Sequence, residues 1–239
     1  MSPGNTTDVQ LYTSMCAKVD TSTLAWHSLL PSSKRRLIRD DNSVDEVMFK
    51  AQFIMHTYTV EMHRPLSTLA YNPIEAVARC APLAPSDRLQ CLDKNESELH
   101  TVKCLSAIEQ IDQLLTLPTN LHTHTPFLIC MVANATIAHL SACRFLLQGE
   151  KLATSRDKIR LTMGTLNRLG EHWSLGKRTF QELGIIAREI LLLNAGSGSA
   201  GSVHVEDASS VESLFDVNLD VDLFDMSTGL LGAVNSSVG

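Results

Sequence analysis

The chain has 239 residues, 44% of them hydrophobic and 19% charged, which supports one core of ordinary size with tails. Its net charge of −6 is unevenly spread: residues 195–239 hold seven acids and no lysine or arginine, so the remainder is close to neutral and lacks a large basic surface for nucleic acid. Aromatics make up only 5%, so a core built mainly of Leu, Ile, Val, Met and Ala is expected, and the polar N-terminus does not read as a signal peptide.

In chain order, residues 1–43 are expected to form a flexible N-terminal segment. As far as Asp20 they show no apolar periodicity and are rich in Ser, Thr and Asn. Lys34, Arg35, Arg36 and Arg39 make a basic cluster that suits nuclear import or phosphate contact. Asp40 and Asp41 dilute it, and a solvated basic turn is the plainer reading. Residues 44–64 read as a long helix, with Asp45 and Glu46 at the positive end of its dipole and Pro65 ending it. His56 and His63 are seven apart, whereas a chelating pair on one turn needs a spacing of three or four, so they read as packing or surface histidines. Residues 71–93 form a connection with Pro73, Pro82 and Pro85, and a short helix is expected over 74–80. A further helix covers 95–117. Asn95 and Glu98 fit a capping pattern, Val102, Leu105, Ile108, Ile111 (or Asp112) and Leu115 give the stripe, and Pro118 stops it. His122 and His124 in LHTHTP have no further ligands at matching spacing, so no metal site is assigned.

Three helical segments follow, joined by short loops, and the rest of the chain is organised around them. Residues 127–147 start after Thr125 and Pro126, residue types suited to an N-cap and a first helical position. They are crowded with Cys130, Ala133, Ala135, Ala138, Ser141, Ala142 and Cys143, small side chains that let neighbours approach closely, and Gly149 supplies a stop. The segment is long enough to span a bilayer, but Asn134, His139 and Arg144 argue against a membrane span. The second segment is expected to start after Ser155 as N-cap and to end at Gly170, with Ile159, Met163, Leu166 and Leu169 on one face. The third covers about 175–193, with Phe180, Leu183, Ala187, Ile190 and Leu191 as its stripe. The six cysteines include no C-x-x-C pair. Cys104, Cys130 and Cys143 lie among apolar residues and read as buried thiols in a reducing compartment. Nucleophile-elbow, phosphate-loop and H-E-x-x-H motifs do not occur, and Glu171–His172 beside Trp173 lacks a third partner, so no catalytic or cofactor-binding residue is assigned and the chain reads as a non-enzyme.

PFLICMVANATIAHLSACRFLL followed by SRDKIRLTMGTLNRLGEHWSLGKRTFQELGIIAREIL resembles the C-terminal regulatory half of fungal zinc-cluster (Zn2Cys6) transcription factors. FIMHTYTVEMHRPLS is similar to that family's helix ending in L-H-R-P, with Met62 where Leu is usual. The resemblance covers roughly residues 44–193 and implies an all-α regulatory domain. It implies no catalytic residue. The family's close-set six-cysteine cluster is absent, so DNA contact is not supported by this chain alone. The cluster has been lost, is supplied by a partner chain, or is missing from the gene model.

Residues 195–202 are a Gly/Ser linker by composition, and 203–239 an acidic-hydrophobic tail. The tail repeats L-F-D at Leu214–Asp216 and Leu223–Asp225. Charge keeps such apolar groups in water until a partner groove accepts them, which suits an activation segment. Leu214, Phe215, Leu219, Leu223 and Phe224 are the expected partner-binding residues. The first reading is thus a nuclear transcription regulator of a pathway gene set such as a secondary-metabolite cluster, with transcription machinery or a co-activator as the tail's partner and a DNA-binding chain or a second copy as further partners. The alternatives are a helical small-molecule binder or enzyme on the same scaffold, and an interaction adaptor that does not bind DNA.

Overall fold

A computed structural model describes residues 3–82, 84–85 and 92–196. They form seven α-helices: α1 (Pro3–Leu29), α2 (Ser32–Arg35), α3 (Glu46–His63), α4 (Lys94–Leu115), α5 (Phe127–Phe145), α6 (Gly149–Gly170) and α7 (Ser174–Gly196). Short 3-10 turns lie at Arg64–Leu66, Pro73–Val77 and Leu121–Thr123. No β-strand occurs among the described residues, where Ile38 and Val44 form a lone antiparallel bridge. The protein is all-α. The chain divides into two units, Met1–Asn194 and Ala195–Gly239. Of the second, only residues 195–196 at the end of α7 are described.

The centre of the first unit is α5. Small side chains on all its faces let neighbours close in from several directions, and every residue from 131 to 143 is buried. Its length and hydropathy would suit a membrane span, but 78% of that window is buried inside the protein. α3 packs chiefly on α4, α5 lies against both, and α6 covers α5 and α4. Ile159, Met163, Leu166 and Leu169 are all buried, as their spacing on α6 requires. At the α6–α7 corner two glycines permit backbone contact. A Cβ on Gly170 would sit 2.9 Å from the Lys177 nitrogen, and one on Gly176 would sit 2.7 Å from the Gly170 nitrogen.

Several expectations need correction. Residues 1–43 are not a loose segment: α1 occupies most of them and packs on α3. Periodicity missed it because, among its described side chains, only Val9 and Cys16 are buried apolar residues, and polar ties from Cys16 and Asp20 do much of the anchoring. α6 begins at Gly149, whose φ of +57° suits glycine, so Ser155 lies buried inside the helix rather than capping it. α4 is capped by the Asp93 carboxylate, which accepts from the Glu96 N–H, and Val102 is exposed rather than part of the buried stripe. The helix expected over 74–80 is a five-residue 3-10 turn. α7 continues to Gly196, into the expected linker. Cys130, read as a buried thiol, is joined to Cys80 by a disulfide across 50 residues, with Cα atoms 5.0 Å apart. The connection after the Pro73–Val77 turn brings Cys80 to the first turn of α5, a pairing that the spacing of the cysteines does not announce.

The basic cluster before α3 is largely engaged. Lys34 donates to Asp45 at 2.7 Å, and Arg39 lies 3.4 Å from the other oxygen. Arg35 donates to the Leu30 and Ser28 carbonyls, and Arg36 pairs with Asp40. Asp45 also caps α3 by accepting from the Met48 N–H at 3.3 Å. Chiefly through Lys34, its carboxyl is held down to about 2. An ordinary carboxyl in the unfolded chain titrates near about 3.9. Because the folded value is the lower one, this stabilisation is complete above about pH 4 and is lost as pH falls toward 2. Asp45→Ala is therefore expected to cost about 1–2 kcal/mol in urea unfolding at pH 7 and much less near pH 2. An equal cost at both pH values would refute the ionic contribution.

Candidate functional site

Two groups of buried polar side chains stand out in the helical body, and a third ties α1 to it. The first group closes the C-terminal end of α3. His63 is followed directly by Arg64 and Pro65, and proline cannot continue the backbone hydrogen-bond ladder, so the chain turns while Arg64 points inward. Its side chain is 1% exposed. The guanidinium donates to Glu75 Oε1 at 2.8 Å and to the Ala70 carbonyl at 3.3 Å, and it lies 4.0 Å from the centre of the Tyr71 ring. Glu75 is fixed in turn: the same oxygen accepts from the Asn72 N–H at 3.0 Å, while Asn72 Oδ1 accepts from the Ile74 N–H at 3.1 Å. This capping box holds the carboxylate where the buried cation requires it. The arrangement gives the H-R-P stretch a structural role in this chain. Glu75→Ala leaves the guanidinium buried and unpaired, and a loss of about 3–5 kcal/mol in urea unfolding is expected. Arg64→Met with Glu75→Leu removes both charges and is expected to cost clearly less than the sum of the single losses. Additive losses would refute the coupling.

The second group lines a cleft of about 380 Å³ between α4, α5 and α6. Leu105, Ile108 and Leu147 form its apolar wall. Asp112 and His139 are each 4% exposed, and their facing atoms Oδ2 and Nδ1 lie 3.7 Å apart, beyond hydrogen-bond distance. At the rim, Lys158 of α6 pairs with Glu109 of α4. Burial pushes the Asp112 carboxyl up to about 7, with Glu109 adding to the rise and Lys158 opposing it. Burial, aided by Lys158, pushes the His139 ring down to about 4. A neutral ring beside a carboxyl that titrates near neutrality can accept or pass on a proton. Thr154, Ser155, Lys151 and Lys158 also line the cleft, which therefore offers a small guest hydroxyl and ammonium groups for hydrogen bonding. The folded Asp112 keeps its proton where the unfolded chain has lost it, so its contribution to stability falls as pH rises from about 4 to 7. Asp112→Asn mimics the protonated form. It is expected to match the unsubstituted chain near pH 4 and to exceed its stability by on the order of 2 kcal/mol at pH 8. A difference that does not vary with pH would refute the assignment.

The third group ties α1 to the body. Asp20 pairs with Lys103 and accepts from His63 Nε2 at 3.0 Å. Because a carboxylate only accepts, His63 donates to it from Nε2, and His63 Nδ1 shares a hydrogen bond with His100 Nδ1 at 2.7 Å. Burial is the first cause that takes the His100 ring down to about 4. His63 thus has a packing role, in line with its spacing from His56. His122 and His124 diverge. His122 meets His172 with ring centres 3.9 Å apart and planes tilted by 51°, while buried His124 bonds to Thr119 at 2.9 Å and lies 3.3 Å from Glu46. Among the described residues, no group of three His, Cys, Asp or Glu side chains is placed to hold a metal ion.

The partner-binding residues expected from the sequence, Leu214, Phe215, Leu219, Leu223 and Phe224, lie outside the described residues. Sequence reasoning missed the Arg64–Glu75 pair and the Asp112–His139 pair. A charged residue one position before Pro65, and an acid inside the apolar run of α4, were the available signals.

No family model matches the chain, and no solved structure matches it. The chain is similar to the C6 finger domain transcription factor iacK of Pestalotiopsis fici, with 33% identity over 168 residues. The match takes in 69% of this chain and 24% of that protein, so it spans about a quarter of the relative's length. By that similarity the chain is related to a fungal C6 finger transcription factor.

Proposed function

We propose that this chain is the helical regulatory part of a nuclear transcription regulator, followed by a Gly/Ser linker and an activation tail, and that it works on a pathway gene set such as a secondary-metabolite cluster. The single observation that carries the reading is the 33% identity to the transcription factor, over 69% of the chain. The acidic tail with its two L-F-D repeats supports it from the sequence. In this reading the body is not an enzyme. It holds partner or effector contacts, for which the α4–α5–α6 cleft offers room, and a DNA-binding chain or segment directs it to its genes. The tail recruits transcription machinery or a co-activator. Leu219 and Leu223 are four apart, and Leu223 is eight from Phe215, so a helix formed on binding would bring these three near one face. Asp216, Asp220, Asp222 and Asp225 stay in water and steer the segment toward the basic rim of a groove.

The test fuses residues 203–239 to an unrelated DNA-binding domain and reads a reporter. Burial of each phenylalanine supplies about 1.5–3 kcal/mol. Phe215→Ala with Phe224→Ala is therefore expected to remove most of the output at unchanged protein level. Equal output would make the tail a solvating extension and sink the proposed mechanism.

A further inference from the structure

Five of the six cysteines are described, and they fall into two sets. Cys16, Cys104 and Cys143 are buried, and burial pushes their thiols up to about 11, 12 and 12. Cys16 and Cys104 point at backbone carbonyls of α3, those of Met62 and Val60. Such thiols are neutral and inaccessible at physiological pH, and they react poorly. Cys80 and Cys130 differ from them. Both are half-buried rather than buried, they are bonded to each other, and their Cα separation of 5.0 Å falls within the range a bridge spans without backbone movement. Cys130 also lies in the first turn of α5, where the helix dipole favours a thiolate.

Stable disulfides belong to oxidising compartments, whereas cytosol and nucleus keep thiols reduced. A regulator that works in the nucleus would therefore carry this bond only part of the time. We infer that Cys80 and Cys130 form a reversible oxidation site for hydroperoxides, closing the bridge that ties the connection after the Pro73–Val77 turn to α5. The inference rests on the intracellular reading proposed above. In the first step the Cys130 thiolate attacks one oxygen of hydrogen peroxide, expels hydroxide and becomes a sulfenic acid. In the second the Cys80 sulfur attacks that sulfur and displaces its oxygen, which leaves as water. Two thiols and one peroxide become one disulfide and two waters. A dithiol reductant such as reduced thioredoxin returns the two electrons and is itself oxidised to a disulfide.

The bridge acts on a segment that already reaches two parts of the body, and it adds a third. Glu75 meets Arg64 at the end of α3, the Arg79 N–H donates to Glu182 on α7 at 3.2 Å, and Cys80 meets α5. Closing it removes freedom from the unfolded chain over a loop of 50 residues, so oxidation is expected to raise Tm by on the order of 10 °C.

The test uses the full chain, produced in a reducing cytosol and alkylated at lysis. Both Cys80 and Cys130 are expected to be alkylated. After treatment of unalkylated protein with hydrogen peroxide, mass spectrometry of a non-reduced digest is expected to show one cross-linked peptide pair joining residues 80 and 130. Cys16, Cys104 and Cys143 are expected to remain free, and thioredoxin with its reductase to restore both thiols. Cys80→Ser should leave Cys130 as a sulfenic acid trapped by dimedone, and Cys130→Ser should leave no trapped product at residue 80. A bridge already complete in protein from reducing cytosol, no bridge after peroxide, a bridge to Cys91, or trapping at residue 80 in Cys130→Ser would each overturn the inference. The chemistry is read without any transcription assay, so a reversible bridge with an inactive tail removes only the functional reading. An active tail with no bridge removes only the oxidation site.

Discussion

A cation buried at the end of α3 constrains the rest of the body. An arginine 1% exposed has to find an anion and further acceptors inside the protein, because an uncompensated charge there is costly. The chain meets that demand by bending back after the Arg64–Leu66 turn, passing Tyr71 across the guanidinium, and starting a capped 3-10 turn that delivers Glu75. The Ala70 carbonyl that accepts from Arg64 also accepts from Ser141 of α5 at 2.8 Å. One side chain therefore links the end of α3, the proline-rich connection and the central helix. With the connection anchored in this way, Cys80 is brought to its meeting point on α5.

Polar ties of this kind recur between the helices, beside a core whose large side chains include Phe49, Phe53, Ile111, Ile129 and Leu140. α5 presents mostly Ala, Ser, Cys and Thr along its middle, which permits close packing but leaves neighbouring helices free to slide. Asn134 bonds to Glu61 of α3 at 2.5 Å, Glu109 joins α4 to Lys158 of α6, and Asp20 joins α1 to His63 and Lys103. Each contact has a narrow geometry, and a helix displaced by one turn would lose it. Here the polar groups fix the register of the helices, and the small apolar residues set how closely they pack.

The core stripes and the loop positions were largely legible in the sequence. Four buried positions on α6 and four of the five chosen on α7 follow from 3.6-residue spacing alone, with Phe180 the half-buried exception and Ile186 a buried residue that the stripe omits. α1 was not legible because its apolar residues face both inward and outward: Leu11, Leu24 and Leu29 are exposed while Val9 and Cys16 are buried. The start of α6 was missed for a different reason. Ser155 has the chemistry of a cap, but its burial against the rest of the fold took precedence over that local preference, and Gly149, expected as a stop, opens the helix instead. The cleft was out of reach because Asp112 and His139 come from helices whose facing is decided by their other residues. The tail residues picked from the L-F-D repeats remain a reading of composition.

The opposed titrations of Asp112 and His139 have a consequence for the body as a whole. On folding, burial takes a proton from the ring that a free imidazole would hold in mild acid, and leaves one on a carboxyl that a free aspartate would have lost. Across the interval from about pH 4 to 6.5 the two changes cancel in proton count, so this pair folds with almost no net uptake or release. In effect the buried pair relocates a proton internally. Nearer neutrality the balance breaks: the Asp112 carboxyl, at about 7, gives up its proton in the folded chain while the ring gains none, so the centre of the helical body changes charge there.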